Sequence, residues 1–183
     1  MTWGVAGLAV DRGGARALTD VTLDAPAGEV AAVVGGDGAG KTTLLRTLAG
    51  GLVHAEGEVR APGVARIGFM PTGNGVWRDL SVDENIAFVA AAHGMRGARL
   101  ASRRDRVLEA SGLGQATARL ARDLSGGMRQ KLAFSLAVLH EPELIILDEP
   151  STGVDPVSRI DLWRMISEAA AHGAAVGMAT TYL

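Results

Sequence analysis

Val30-Ala31-Ala32-Val33-Val34-Gly35-Gly36-Asp37-Gly38-Ala39-Gly40-Lys41-Thr42 decides how the rest of the chain is read. Five apolar residues ahead of two glycines predict a short strand buried on both faces of a parallel sheet. Gly35 to Thr42 then follow the eight-residue spacing of a phosphate-binding loop, and Thr42 to Ala49 predict a helix ending at Gly50-Gly51. Strand, glycine loop and helix are the setting this motif needs. Gly35, Gly36, Asp37, Gly38, Ala39 and Gly40 can turn backbone N–H groups toward phosphate oxygens, and the helix start adds the positive end of its dipole. Lys41 is then placed for the β and γ phosphates and Thr42 for Mg²⁺. Lys41 and Lys131 are the only lysines in a chain that otherwise uses arginine. A flexible point charge suits this loop better than a planar guanidinium.

A second apolar strand, Leu144-Ile145-Ile146-Leu147, delivers Asp148 and Glu149 at its C-terminal end, the edge where parallel α/β sheets bind ligands. Asp148 suits the metal, and Glu149 suits a general base acting on water. The strand could also simply end in solvated acids before Pro150. The upstream loop favours the functional reading. A third stretch, Leu124-Ser125-Gly126-Gly127-Met128, opens a helix from Met128 to Leu139, with Ser125 as N-cap. Its glycines make it either an ordinary capped helix or a second anion-binding helix start.

Working outward, residues 1–25 alternate around turn signals at Gly13-Gly14 and Ala25-Pro26-Ala27-Gly28, which predicts a small antiparallel sheet. Ala65 to Met70 predicts a strand stopped by Pro71. From Ser81 to His140 the period becomes helical, with a capping box at Ser81 and Glu84 and helices over Ser102 to Ala110 and Met128 to Leu139. A helix over Val157 to Ala171 and a strand over Ala175 to Thr180 follow. The expected fold is α/β: a nucleoside-triphosphatase core with a mainly parallel sheet, an N-terminal antiparallel part and a helical insertion over about 81–140.

Composition narrows the function further. At 183 residues and 18.8 kDa the chain suits one domain with a subdomain, and 48% apolar with 21% charged residues excludes disordered and fibrous classes. Net charge is −2 with no block of like charges, so no nucleic-acid partner is expected. The absence of cysteine excludes disulfides, thiol nucleophiles and Cys-based zinc sites. The longest apolar runs are far shorter than the ~18 to 20 residues that span a bilayer, and no secretory leader is expected.

Taken together, the motifs resemble the nucleotide-binding domain of ABC ATPases. The resemblance rests on GGDGAGKTT (Gly35 to Thr43), LSGGM followed by RQK, LIILDEP and STGVDP, in that order, and covers essentially the whole chain. It implies ATP and Mg²⁺ as cofactors, with Thr43 added to the nucleotide-binding residues. It also implies a head-to-tail dimer with a second such domain, homo- or heterodimeric. Ser125, Gly126 and Gly127 would then contact a nucleotide held by the partner, and Asp155 would lie across the interface. The wording around LSGGMRQKLAF and DEPSTGVDPVSR is most similar to ATPases of drug-exporter systems. The implied setting is a peripheral position on the cytoplasmic face of the membrane, beside a membrane-spanning permease domain. The ending at Leu183 suggests a chain truncated at its C-terminus.

Three positions depart from the family pattern. Thr72 stands where a glutamine near the metal is usual, and Thr181 stands where a histidine is usual; none of the histidines at 54, 93, 140 and 172 falls in that segment. Arg12 stands near Gly13 where an adenine-stacking aromatic is usual, so its guanidinium is the expected base contact. Two readings stay open: drift, with hydroxyls replacing lost donors, or a weakened catalytic site in an asymmetric dimer. Trp77, Phe88, Trp163 and Tyr182 are expected in core or interface, with Trp77 the candidate contact to a membrane partner. Arg99, Arg103, Arg104 and Arg106 are expected to form a solvated helix face.

Overall fold

The computed structural model describes residues 1–52, 56–73 and 75–181. Strands β1 (Thr2–Arg12) and β2 (Ala15–Pro26) form the antiparallel hairpin turned by Gly13-Gly14, and β4 (Glu56–Arg60) pairs antiparallel on the other side of β1. The charged run Glu56-Gly57-Glu58-Val59-Arg60 carries almost no apolar alternation, and β4 was therefore not expected. It forms because β1 offers a free edge, not because its own side chains demand burial.

A second sheet is parallel, in the order β3 (Val30–Val34), β7 (Ala175–Thr180), β6 (Leu144–Asp148), β5 (Ile67–Met70). β6 and β7 lie in the middle and every residue of both is buried, which is why they read as continuous apolar runs. β3 corrects an expectation: it pairs only with β7, Val30 and Val34 on its even-numbered face stay 37% and 47% exposed, and only Ala31 and Val33 pack inward. An apolar run bounded by glycines predicts a strand but does not distinguish a central from an edge position. β5 starts later than expected, because Val64–Arg66 form a 3₁₀ turn.

Helix α1 (Lys41–Leu48) buries Leu44, Leu45 and Leu48 between the two sheets, together with Val5, Leu8 and Ile146. On the other sheet face, Phe134 of α4 (Gly126–Val138) and Leu162, Met165 and Ile166 of α5 (Pro156–Ala171) pack with Ile145, Leu147 and Val176. Each such buried side chain contributes roughly 1.5–3 kcal/mol relative to exposure. Between β5 and β6 the chain inserts α2 (Val82–Ala92) and α3 (Gly97–Ser111), which share a separate apolar cluster with the outer face of α4. The Ser81–Glu84 capping box starts α2 as expected. α3 is longer than Ser102 to Ala110, and α4 begins at Gly126 instead of Met128 because the N-cap Ser125 recruits both glycines into the first turn.

Of the arginine group, Arg99 and Arg106 are exposed as expected, but Arg103 and Arg104 are not free solvated side chains. Arg103 is largely buried and donates to the carbonyls of Leu139 and Val138, closing the C-terminal end of α4, while Arg104 makes a two-pronged pair with Asp83 at 2.8 Å. Trp77 and Phe88, in turn, are not core: they are 44% and 50% exposed and touch each other, with ring centroids 4.4 Å apart. Trp163, on α5, is partly buried against the cluster that α4 and α5 share with the parallel sheet, and Tyr182 lies outside the described residues.

Candidate functional site

Strand register gathers the site. Val34 pairs with Thr180, Asp148 with Ala179 and Met70 with Leu147, so all four parallel strands end at one edge. Gly35, Glu149 and Thr181 follow β3, β6 and β7 directly, Thr72 comes two residues after β5, and distant segments of sequence become neighbours there.

The loop itself is built for a backbone cradle. Gly40, the residue before α1, has φ +91°, and a Cβ there would meet the Leu18 side chain at 2.6 Å and the Ala17 carbonyl at 3.0 Å. Only glycine satisfies both conditions. Gly36 and Gly38 have nothing within 4 Å of a Cβ position, so the hollow beside the loop is open. Lys41 is 8% exposed; its ammonium donates to the carbonyls of Gly35 at 2.6 Å and Gly36 at 3.0 Å and lies 3.7 Å from Glu149 Oε1. Thr43, in the first turn of α1, is buried, and its carbonyl accepts from the Thr47 hydroxyl at 2.8 Å. Asp37 and Ala39 complete the loop as exposed residues.

Thr42 donates to Asp148 Oδ1 at 3.2 Å across 106 residues of sequence. A hydroxyl and a carboxylate in contact beside an open glycine loop fit a hard divalent cation, which takes oxygen ligands. Asp148 is 2% exposed, so its second oxygen has few alternatives in water. Glu149 has φ +52°, a strained conformation for a side chain of this kind, and its N–H is fixed by the Ala179 carbonyl at 3.0 Å. Oε2 of Glu149 accepts from Thr152 at 3.2 Å and from Thr181 at 3.5 Å.

Other expected residues lie further out. Thr72 sits exposed on the bend after β5, and Arg12 sits exposed at the hairpin tip while Ala17 and Leu18 of the same hairpin touch the loop at Gly40. Ser125 caps α4, accepting from Met128 N–H at 3.2 Å. Gly126 and Gly127 face the turn at 153–158: a Cβ on Gly127 would run into the Ser158 hydroxyl. Asp155 caps α5, accepting from Val157 and Ser158 N–H groups at 3.1 and 3.0 Å, and Ser158 holds its carboxyl below the usual range. A cavity of about 190 Å³ lies beside them, with Gly73, Gly75, Gly126, Arg129, Thr152 and Gly153 in its lining. Its lining includes no residue of the phosphate loop. The structure thus brings Lys41, Thr42, Asp148, Glu149 and Thr181 together, and leaves Ser125, Gly126, Gly127 and Asp155 as a second group.

Sequence reading missed Thr152, whose only signal was its place three residues after Glu149. It also missed Asn85, fully buried, whose amide group binds the main chain of Trp77, Leu80 and Ser81.

Residues 18–152 match the sequence pattern of the ABC transporter family. The chain belongs to that family. It is 42% identical over 179 residues to the "Probable multidrug ABC transporter ATP-binding protein YbhF" of Escherichia coli, covering 92% of this chain and 31% of that one. It is 34% identical over 180 residues to the "Daunorubicin/doxorubicin resistance ATP-binding protein DrrA" of Streptomyces peucetius, covering 93% of this chain and 54% of that one. A solved "ATP binding subunit of ABC transporter" superposes with a TM-score of 0.88 at 27% identity, covering all of this chain and 80% of the other. The chain spans about a third to a half of the length of these two sequence relatives. This ABC nucleotide-binding domain therefore has the expected fold: a parallel core, an antiparallel N-terminal sheet and an inserted set of helices. No helix among the described residues is long and apolar enough to cross a membrane.

Proposed function

We propose that this domain binds Mg-ATP and hydrolyses it to drive export through a separate membrane-spanning domain. The observation that carries the reading is the convergence of Lys41, Thr42, Asp148 and Glu149 on one open glycine loop, with Thr42 3.2 Å from Asp148 and Lys41 3.7 Å from Glu149. Thr42 and Asp148 would hold the Mg²⁺, which neutralises charge on the β and γ phosphates when bound. Gly35 to Gly40 supply N–H donors, Lys41 turns from its own loop carbonyls to the phosphates, and Glu149 accepts the proton of the attacking water. Export is supported by relatives named for multidrug and daunorubicin/doxorubicin resistance.

The second group supports a head-to-tail dimer, in which Ser125, Gly126 and Gly127 complete the partner's phosphate site and Asp155 faces the interface. The exposed Trp77–Phe88 pair is the proposed contact with the permease, on the cytoplasmic face of the membrane. A second reading, a half-domain that clamps ATP but turns it over slowly, is favoured by Thr72 and Thr181 standing where the family carries glutamine and histidine. Phosphate release measured in the assembled complex, wild type against Glu149→Gln, separates them. Rapid turnover lost in the variant supports hydrolysis here; slow turnover indifferent to Glu149 supports the clamp.

A further inference from the structure

Glu149 is an unusual place to find a fixed side chain. It follows the last residue of β6, its backbone is in the left-handed region at φ +52°, and nothing in its own strand restrains the carboxylate. A glutamate has three rotatable side-chain bonds, and a base that must meet a water within hydrogen-bond reach loses rate when it wanders. Restraints come from two sides. On one side Lys41 lies 3.7 Å from Oε1, but that ammonium is already committed to Gly35 and Gly36 at 2.6 and 3.0 Å, and is the group that phosphates would draw away. On the other side the Thr152 hydroxyl donates to Oε2 at 3.2 Å.

The Thr152 contact is built by the turn itself. Thr152 N–H donates to the Glu149 carbonyl at 3.3 Å, which closes Glu149-Pro150-Ser151-Thr152 into a tight turn and returns the Thr152 side chain to the carboxylate of the residue that opened it. Pro150 stiffens that turn by fixing its own φ. Thr181 adds a hydroxyl from the end of β7 to the same Oε2, at the longer distance of 3.5 Å. Oε1 then stays on the side of the phosphate loop, next to Lys41.

The geometry points to Thr152 as a positioning residue for Glu149: its hydroxyl pins Oε2 and leaves Oε1 aimed at the water that attacks the γ phosphate, with Thr181 as a weaker second pin. This rests on the reading of Glu149 as general base. It assigns a part to the DEPST turn that is separate from metal binding and from phosphate binding. It also means that the base in this chain is held by hydroxyls from its own turn and from the neighbouring strand.

The test compares Thr152→Val, Thr152→Ser and Glu149→Gln in the assembled ATPase complex, reading kcat and KM by phosphate release and affinity by titration with a fluorescent ATP analogue. Thr152 is exposed and outside the packed core, so valine does not threaten folding. The expected result is a loss of about ten-fold in kcat for Thr152→Val, with KM and analogue affinity within about three-fold, as for a contact that matters in the transition state. Thr152→Ser keeps the hydroxyl and should retain most of the wild-type rate. Three outcomes overturn the inference. Thr152→Val may match the wild-type kcat while Glu149→Gln is inactive, or serine may be no better than valine. In the third, analogue affinity falls as much as kcat. If Glu149→Gln itself turns over at the wild-type rate, the general-base reading fails, and the inference fails with it.

Discussion

The starts of α1 and α4 are both glycine-rich turns entering a helix, yet the chain finishes them differently. α1 follows Gly40, which makes no side-chain cap, so its first N–H groups face the open hollow beside Lys41 and Asp148. α4 follows Ser125, whose hydroxyl satisfies Met128 N–H, and its glycines lean on the turn at 153–158, where Gly127 faces Ser158 and the Asp155 carboxylate that caps α5. The first start has an ammonium, a hydroxyl–carboxylate pair and a second carboxylate supplied by its own chain, the groups proposed above to meet phosphate, metal and water. The second has donors and no chemistry of its own. A helix start gains chemistry when other strands bring charge to it, which is why the second group is proposed to act on a nucleotide held by another molecule.

The largest expected effect breaks the first site at its base. Glu149→Gln should lower kcat by ~10²- to 10⁴-fold, the usual contribution of a general base, while nucleotide titration shows binding retained. Next, Lys41→Ala removes the charge proposed to meet the β and γ phosphates. A hydrogen bond to a charged group is worth about 1.5–3 kcal/mol, so ATP-analogue affinity should fall roughly 10- to 100-fold; equal affinity would remove α1 from the nucleotide site.

Ser125→Ala sharpens the contrast from the other side. It should cost about 1 kcal/mol of helix stability and weaken Mg-ATP-dependent dimerisation, measured by sedimentation in the Glu149→Gln background, with binding to the single chain unchanged. A loss of single-chain ATP affinity would show that the two starts serve one nucleotide within the chain. Thr181→His should raise kcat several-fold in the assembled dimer with KM nearly constant; no change would make Thr181 neutral drift.

The smallest effect concerns the join between the two regions. His140, buried, places Nε2 3.2 Å from the Ile67 carbonyl of β5 and stacks on His93 at the end of α2, with ring centroids 3.7 Å apart. Burial first, then the charges of His93, Arg103 and Arg99, push its pKa down to about 4. The unfolded chain therefore binds the proton more readily. Stability from this group is fully present above pH ~6.5 and is lost as pH falls toward 4. His140→Phe should flatten the pH dependence of Tm between pH 7 and 5 by a few degrees, read by circular dichroism.

Much of this was legible in the chain, for reasons that differ by residue. Gly40 and Lys41 were readable because a phosphate loop needs consecutive residues at fixed spacing, and local chemistry is written locally. Ser81 with Glu84, and Ser125, were readable because a cap acts within one turn. Arg103 was misread because four arginines on a helix look solvated until the end of α4 arrives with unpaired carbonyls. Val30 and Val34 were misread because apolar content reports strand character and not how many neighbours a strand has.

The sequence by itself determined the order of elements, the glycine loop with Lys41 and Thr42, and the acids at 148 and 149, because each depends on residue type and short spacing. Only the tertiary structure decided which strand is central, that β4 exists, and that Thr152 and Thr181 converge on one oxygen of Glu149. Those facts depend on register: pairing Asp148 with Ala179 sets Thr181 beside Glu149 across 32 residues, a distance that no local pattern encodes.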